Sequence, residues 1–380
     1  MKNEIMKAVR ILASCLPVVI LSFCPLVQAQ QTKVLTADKH NEYGLVYTLP
    51  KTTLDIEVTA VRTVKKAGKY FQYAKKYIGT DDVIKADSES WTITGVNVSV
   101  YGIPDEEERY LMQLKPGALT SICVDNSGMI LAINKEVTLP GINIKTRSEG
   151  DESTSKNRRG DAGKMDKIDM QEYLKYVDED FLASQSSAKQ AEMLAESLME
   201  IRDSKVSLTR GTAETMPTDG RQLELMLNSL AHQEAAITAA FKGITEIETV
   251  TRHYTFTPEE EGRTILFRMS DFCGFVGPDD YSGDPVYISV KKGNLPELPV
   301  DAKGEEKKIP KDAVIYALPG SAKISISHAG ETLYEKDHDF GQFGVKFGLS
   351  PALFTDKKAP SFAIFDPATG ALKEIGENER

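Results

Sequence analysis

Apolar and polar side chains alternate along the N-terminal part of the chain. The apolar Leu54, Ile56 and Val58 are separated by single polar residues, and residues 91–101 repeat this alternation with mostly β-branched side chains. Successive side chains of a strand point to opposite faces of a sheet, so a period of two predicts half-buried strands. We therefore predict that residues 30–147 form a β-rich domain.

Two local patterns add detail to this predicted domain. Residues 119–124 and 129–134 are apolar runs on either side of a turn sequence at 125–128 that ends in glycine, which predicts a β-hairpin. In residues 69–78 the tyrosines recur at helical spacing, which predicts a short helix between strands.

The period changes in the central part of the chain. Apolar side chains recur every three and four residues in 191–201 and again in 223–237, which is typical of amphipathic helices. We predict that residues 169–243 form a helical hairpin, in which Thr218 or Asp219 caps the second helix. The two helices must bury their apolar stripes on each other or on a sheet.

The regions on either side of the hairpin differ in composition. Residues 148–168 begin with a run of charged and small polar side chains, which buries too little apolar surface to offset the entropy of ordering, so we predict a flexible linker. In residues 244–380, short apolar runs alternate with turn sequences, of which 366–370 is the clearest. The predicted fold class is α+β and mostly β, with an N-terminal β-rich domain, a central helical hairpin and a C-terminal sandwich-like antiparallel β-domain.

The N-terminus has the composition of an export signal. Lys2, Lys7 and Arg10 precede an uncharged apolar segment over residues 11–27, and a cleavage-site pattern follows it. A segment this short, interrupted by prolines, does not suit a membrane-spanning helix. We therefore predict that residues 1–29 are a signal peptide that is removed, and that the mature protein is periplasmic, outer-membrane associated or extracellular.

A lipid anchor is an alternative to simple cleavage. Residues 12–15 match the local pattern of a lipid-attachment site that ends in Cys15. Almost no apolar segment precedes this cysteine, whereas a long one follows it. We therefore favour simple cleavage and read Cys15 as part of the apolar segment.

Removal of the signal leaves 43 basic and 55 acidic side chains and a net charge of −12. An acidic protein repels phosphate backbones, which argues against a nucleic-acid partner.

The remaining cysteines are Cys123 and Cys273. An exported compartment permits a disulfide between them. We favour two buried, unpaired thiols, because the sequence gives no sign that their Cα atoms lie close enough to bridge.

Four segments carry a resemblance to a known protein family. They are the tyrosine-containing opening at residues 35–50, and residues 70–74, 114–117 and 342–345. With these motifs the mature chain resembles the secreted Bacteroidota proteins of domain-of-unknown-function family 4831. The resemblance implies an exported location in a Gram-negative bacterium. It implies no activity, no cofactor and no catalytic residue.

The sequence lacks the common motifs of catalysis and cofactor binding. No two of the five histidines stand at i,i+4, and there is neither a G-x-S-x-G elbow nor a phosphate-binding loop. Two cysteines supply too few soft ligands for a structural zinc site. We predict no cofactor and no metal. We expect His232 near Glu234, and His338 between Asp337 and Asp339, to have no catalytic role.

One segment is a candidate binding surface. His40, Tyr43 and Tyr47 lie close together in the opening motif, near Glu42, and combine polar with aromatic chemistry. The alternative, which we favour, is an edge strand whose tyrosines pack on the core and keep their hydroxyl groups in water.

Three acidic clusters are candidates for calcium, which takes oxygen ligands. They are residues 105–108, 259–261 and 279–284. None has the spacing of a calcium-binding loop, so we interpret them as solvated turns.

These observations favour a non-enzymatic binding or scaffolding protein of the bacterial envelope, with a protein or a glycan as its ligand. The alternative is a hydrolase that acts on envelope glycan or peptide through Asp or Glu carboxylates. A hydrolase of this kind predicts a concave pocket with two carboxylates about 5–10 Å apart. A binding protein predicts a shallow, exposed aromatic or apolar patch.

Overall fold

Residues 44–113, 121–137, 152–153, 169, 171–301, 303–310, 312–355 and 360–377 are described by the computed structural model. The strands are β1 Gly44–Lys66, β2 Ser88–Gln113, β3 Ile122–Val124, β4 Ile130–Ile133, β5 Glu152–Ser153, β6 Ile244–Phe256, β7 Gly262–Ser270, β8 Gly274–Val276, β9 Asp284–Lys292, β10 Val314–His328, β11 Glu331–Leu349, β12 Ser361–Phe365 and β13 Leu372–Glu377. The α-helices are α1 Ala74–Ile78, α2 Glu179–Ala183, α3 Ser187–Arg210 and α4 Gly220–Lys242, and the 3₁₀ helices are Phe71–Tyr73, Glu172–Tyr176 and Pro351–Phe354.

The strands form three antiparallel sheets within the described residues. The first sheet has the order β2-β1-β6-β5, the second β11-β10-β9-β7-β8 and the third β13-β12-β4-β3. With 48% strand and 24% helix, the fold is α+β and mostly β, as predicted. The predicted hairpin at residues 125–128 is confirmed, because β3 pairs with β4 there. The tyrosine-rich segment forms a 3₁₀ turn followed by α1, as its spacing predicts.

The first and second sheets share one apolar core. In β1 the predicted alternation is confirmed, since Leu54, Ile56 and Val58 are all fully buried. They belong to the same core as Phe267 of β7 and Ile288 of β9 in the second sheet. Burial of one large apolar side chain contributes about 1.5–3 kcal/mol relative to its exposure. This core therefore holds the two sheets together as a sandwich.

The N-terminal and C-terminal β-rich regions are joined in the same sheets. β1 pairs with β6 from Leu54 to Lys66, and β4 pairs with β12 in the third sheet. A second core, which includes Ile130 and Phe365, also draws on strands from both regions. The two regions that composition separates into domains therefore share sheets and cores, because the apolar face of each set of strands is covered by the other.

α3 and α4 form the predicted helical hairpin. Their buried side chains, among them Leu194 and Phe241, pack on Tyr70 in a third core. Asp219 caps α4, as predicted, because its side chain accepts a hydrogen bond from the amide of Arg221 at 3.3 Å. None of the described helices is both long enough and apolar enough to span a bilayer.

Some predicted boundaries differ from the structure. The short runs predicted in the C-terminal region merge into two long strands, β10 and β11. A register shift between Leu318 and Gly320 lets the β10 ladder continue past Pro319, which cannot donate a backbone hydrogen bond.

Of the predicted linker the structure describes Glu152–Ser153, which pair with β6 as β5. The predicted signal peptide lies outside the described residues.

Cys123 and Cys273 are both unpaired. The prediction that both thiols are buried is wrong, because Cys123 is half-buried and Cys273 is exposed. The apolar residues around Cys273 suggest a continuous strand, but β7 ends at Ser270. Cys273 therefore lies in the tight turn before β8, where its side chain points away from the core.

Candidate functional site

Of the three residues of the predicted binding surface, Tyr47 is the one that the structure describes. His40 and Tyr43 lie outside the described residues. Tyr47 is only 1% exposed. Its hydroxyl group donates to the carbonyl oxygen of Ile315 at 3.1 Å and accepts from the amide of Ile315 at 2.7 Å.

Burial is the main cause of a strongly raised pKa for the Tyr47 hydroxyl, which the hydrogen bond to Ile315 offsets in part. The ring packs on the core, as the favoured interpretation expects, but the hydroxyl group is not in water. At Tyr47 β1 pairs with β2, whereas its pairing with β6 begins only at Leu54. Tyr47 therefore has a structural role in the second core.

His338 pairs with a tyrosine and not with its neighbouring aspartates. Its Nε2 lies 2.7 Å from the hydroxyl oxygen of Tyr334. Burial lowers the pKa of His338 below its usual 6.5 and Lys336 adds to this, while Asp337 and Asp339 act in the opposite direction. The ring of His338 thus packs beside Tyr334 on β11, the edge strand of the second sheet.

His232 and Glu234 point in different directions, as the i,i+2 spacing predicts. Nδ1 of His232 lies 3.3 Å from the hydroxyl oxygen of Tyr176. Glu234 instead accepts hydrogen bonds from Arg202 at 2.8 Å and from Lys205 at 2.7 Å. The carboxylate near His232 is that of Glu172, 3.9 Å from Nε2, and not that of Glu234. These contacts tie α4 to its surroundings.

The acidic clusters use their oxygens within the protein. Glu108 accepts hydrogen bonds from Tyr110 and Lys346, and Asp280 caps its turn by accepting from the amide of Ser282 at 2.9 Å. The hydrogen bonds from Ser282 lower the pKa of the Asp280 carboxyl. Within the part of the chain that the structure describes, no three His, Cys, Asp or Glu side chains form a group that could hold a metal ion.

The structure brings together one polar group that the motif search missed. Asp55 and Glu57 lie on the solvent face of β1, about 7 Å apart along the strand because they are two positions apart. His253 is the cross-strand partner of Glu57, and its Nδ1 lies 3.3 Å from Oδ1 of Asp55. The alternation in β1 indicates the two outward carboxylates. The position of His253 beside these carboxylates follows only from the pairing of β1 with β6.

A cleft of about 680 Å³ lies between the distal parts of α3 and α4. Its walls carry hydroxyl groups and two carboxylates, and apolar side chains form its base. The lining residues are Asp203, Ser204, Ser207 and Leu208 of α3, Thr212, Ala213, Glu214 and Thr215 of the connecting segment, and Met226, Ser229 and Leu230 of α4.

The cleft exists because the hairpin extends past its packed base. All buried residues of α4 lie between Ala236 and Phe241, so the preceding turns of this helix are more exposed. Several large apolar side chains of this distal part are exposed, including Leu225 at 60% and Val206 at 43%. The helical stripes predict the seam between the helices but not this uncovered end.

The segment after α3 closes one end of the cleft. Gly211 adopts a left-handed conformation (φ 72°) and ends α3, and the amide of Thr212 donates to the carbonyl oxygen of Ser207 at 2.9 Å. This helix C-cap turns the chain back along α3. The described lining of the cleft includes neither histidine nor cysteine.

A second exposed patch lies at one end of the second sheet. Phe272 and Tyr281 are 76% and 85% exposed. The guanidinium group of Arg268 lies over the ring of Tyr281 at 4.7 Å and donates to the carbonyl oxygens of Pro278 at 2.8 Å and Gly283 at 3.1 Å. These contacts hold the loop around Tyr281 in place. The two exposed rings give this end of the sheet the shallow aromatic character expected of a binding surface.

Comparisons with known proteins give one match. A protein-family profile described as "Domain of unknown function (DUF4831)" matches residues 43–373, and this confirms the family to which the opening motif points. No curated protein and no solved structure matches the chain.

Proposed function

Because the chain belongs to the DUF4831 family, whose description gives no activity, we propose a function from the surface of the protein itself. The protein is exported and acts as a non-enzymatic binding or scaffolding protein of the bacterial envelope. Its ligand is another protein, which it contacts through the distal part of the helical hairpin.

The observation that carries this proposal is the uncovered end of the hairpin. A hairpin of 24-residue and 23-residue helices is about 35 Å long, and its far half exposes apolar side chains beside an open cleft. Clusters of exposed apolar side chains next to polar ones mark interaction sites on soluble proteins. The predicted signal peptide and the acidic mature chain support the envelope location.

The test is a pull-down of the mature protein, residues 30–380, from an envelope extract of the bacterium that makes it. The retained proteins are identified by mass spectrometry, with Leu225→Ser and Val206→Ser introduced together as the comparison variant. We expect a defined set of proteins that the double variant loses. Equal recovery by both proteins would contradict binding through the hairpin, and recovery of glycan alone would favour the aromatic patch.

Export is tested separately by fractionation of the cells and by sequencing the N-terminus of the native protein. We expect a protein in the envelope fraction that begins at residue 30. A native protein that begins at Met1 and stays with the cytosolic proteins would contradict the proposed location.

A hydrolase is the second candidate, and one observation favours it. Asp55, Glu57 and His253 form a polar group in which the two carboxylates have a spacing found in glycoside hydrolases. The group lies on the outer face of a sheet, whereas such enzymes enclose their carboxylates in a cleft. Turnover of envelope glycan or peptide by the wild type, but not by Asp55→Asn with Glu57→Gln, would establish this function in place of binding alone.

A further inference from the structure

The cleft of the helical hairpin has a chemistry that selects one class of ligand. Its base is apolar, with Leu208, Leu230 and Met226 among the lining residues. Leu208 is 6% exposed and Met226 is 37% exposed, so the apolar surface runs from the seam of the helices out to solvent. A volume of about 680 Å³ falls within the range of about 300–1,000 Å³ that is typical of ligand sites.

The rim of the cleft is acidic. Asp203 and Glu214 are both exposed and both line the cleft, whereas the described part of the lining includes no lysine and no arginine. Two basic side chains of α3, Arg202 and Lys205, are bound by Glu234 and do not line the cleft. An acidic rim on a protein whose mature net charge is −12 attracts cations and repels anions.

The cleft is also open in a way that suits a segment of polypeptide. Most of its lining residues are exposed, and five of them carry hydroxyl groups that can bond to peptide N–H and C=O groups: Ser204, Ser207, Thr212, Thr215 and Ser229. A small apolar molecule would leave these hydroxyl groups and the two carboxylates without a role.

We propose that this cleft binds a basic segment of a partner protein, with an apolar side chain of the segment seated on Met226 and Leu230 and flanking lysines or arginines near Asp203 and Glu214. This proposal rests on the proposed binding function and names the class of partner.

The test uses fluorescence anisotropy with the mature protein and three labelled peptides. The probe is Lys-Lys-Leu-Leu-Lys-Lys, and the controls are Lys-Lys-Ser-Ser-Lys-Lys, which lacks the apolar centre, and Glu-Glu-Leu-Leu-Glu-Glu, which reverses the charge. We expect saturable binding of the probe alone, weakened by added salt, since exposed charge pairs are screened. No saturation with the probe up to 1 mM protein, or equal binding of either control peptide, would overturn the proposal.

Two matched pairs of variants locate the binding. Met226→Ser is expected to weaken probe binding about fivefold or more because apolar contact is lost. Met199→Ser changes another exposed methionine of the hairpin, 46% exposed and outside the lining, and is expected to leave probe binding unchanged. Equal effects of the two changes would place the binding elsewhere on the hairpin.

The second pair tests the rim. Asp203→Asn with Glu214→Gln is expected to weaken probe binding roughly three- to tenfold, the range for two exposed charge pairs. Glu200→Gln with Glu224→Gln removes the same charge from outside the lining and is expected to have a smaller effect. Equal effects would show that the net charge of the protein alone attracts the probe, and would overturn the role of the rim.

Failure of this proposal and failure of the proposed function give different results. If Met226→Ser and the wild type retain the same envelope proteins, binding by the protein stands and the assignment of the cleft fails. If the probe binds as expected but the extract yields no protein, the cleft chemistry stands and the role in the envelope fails.

Discussion

At the scale of single residues, tyrosines and histidines are the clearest case of what local sequence leaves open. Tyr47 stands in a motif that suggests a polar-aromatic surface, yet its hydroxyl group bonds to the backbone of Ile315, 268 residues further along the chain. Tyr110 likewise bonds to Glu108, which also binds Lys346. The local sequence around a tyrosine on a strand is the same whether its hydroxyl group lies in water or in a core. Only the partner from a distant part of the chain shows which of the two environments applies.

Tyr47→Phe is expected to lower the free energy of unfolding by about 1–3 kcal/mol, because the buried amide and carbonyl of Ile315 lose their shared partner. The ring and its apolar contacts stay. The measurement is the urea midpoint of unfolding. Tyr281→Phe, which changes an 85% exposed tyrosine, is the matched control and should leave the midpoint unchanged. A Tyr47→Phe protein as stable as the wild type would contradict the role assigned to this hydroxyl group.

His338 predicts a pH dependence of stability. Its pKa is lowered in the folded protein from the usual 6.5, so below pH 6.5 the unfolded chain binds more protons than the folded one, and stability falls on acidification. We expect the urea midpoint to drop between pH 7.5 and pH 5.5 by more in the wild type than in His338→Gln. Identical drops would show that this histidine does not contribute.

At the scale of elements, the hairpin was predicted well because its signals are local. Three-and-four spacing and the cap candidates Thr218 and Asp219 act within one or two turns, so the two helices and the start of α4 follow from the sequence. The start of the predicted hairpin differs, because Glu172–Tyr176 and Glu179–Ala183 form a 3₁₀ helix and α2 before α3 begins at Ser187. The strands were predicted less well. The register shift between Leu318 and Gly320 and the pairing partners on both sides let β10 run as one strand past Pro319, and neither lies in the local pattern.

Two glycines of the hairpin give opposite predictions for the same substitution. Gly211→Ala is expected to destabilise the protein by about 1–2 kcal/mol, because Gly211 has a left-handed conformation with φ 72° that penalises a Cβ atom. Gly220→Ala is expected to stabilise it by about 0.4–1 kcal/mol, because the position is helical and a Cβ atom there meets nothing within 4 Å. Thermal unfolding of both variants checks the signs, and a shift in the same direction would contradict this account.

At the scale of the whole molecule, residues far apart in sequence hold the sheets together. The side-chain amide of Gln342 accepts from the amide of Thr52 at 2.9 Å and donates to the carbonyl oxygens of Thr52 at 2.8 Å and Pro258 at 3.0 Å. These bonds join β11 to β1 and to the loop after β6. Gln342 belongs to one of the segments that carry the family resemblance, and these bonds give this residue a structural reason.

The shared sheets predict that the N-terminal region cannot fold by itself. A fragment of residues 30–147 lacks β6, β9 and β10, so Leu54, Ile56 and Val58 would face water. We expect a fragment without a cooperative thermal transition and without near-ultraviolet circular dichroism, whereas the mature chain shows both. A sharp transition in the isolated fragment would show that the sequence-based division into domains is also a division in folding.

The sequence by itself determined the fold class, the helical hairpin with its cap, the outward carboxylates of β1 and the family. These features follow from side-chain periods of two and of three to four, from turn residues and from motifs, all of which act within a few residues. The tertiary structure alone decided that the two β-rich regions share sheets, that Tyr47 is buried, that His253 meets Asp55 and that a cleft opens at the far end of the hairpin. Each of these depends on which apolar faces meet across long stretches of chain, and a local pattern shows that a face must be covered without showing what covers it.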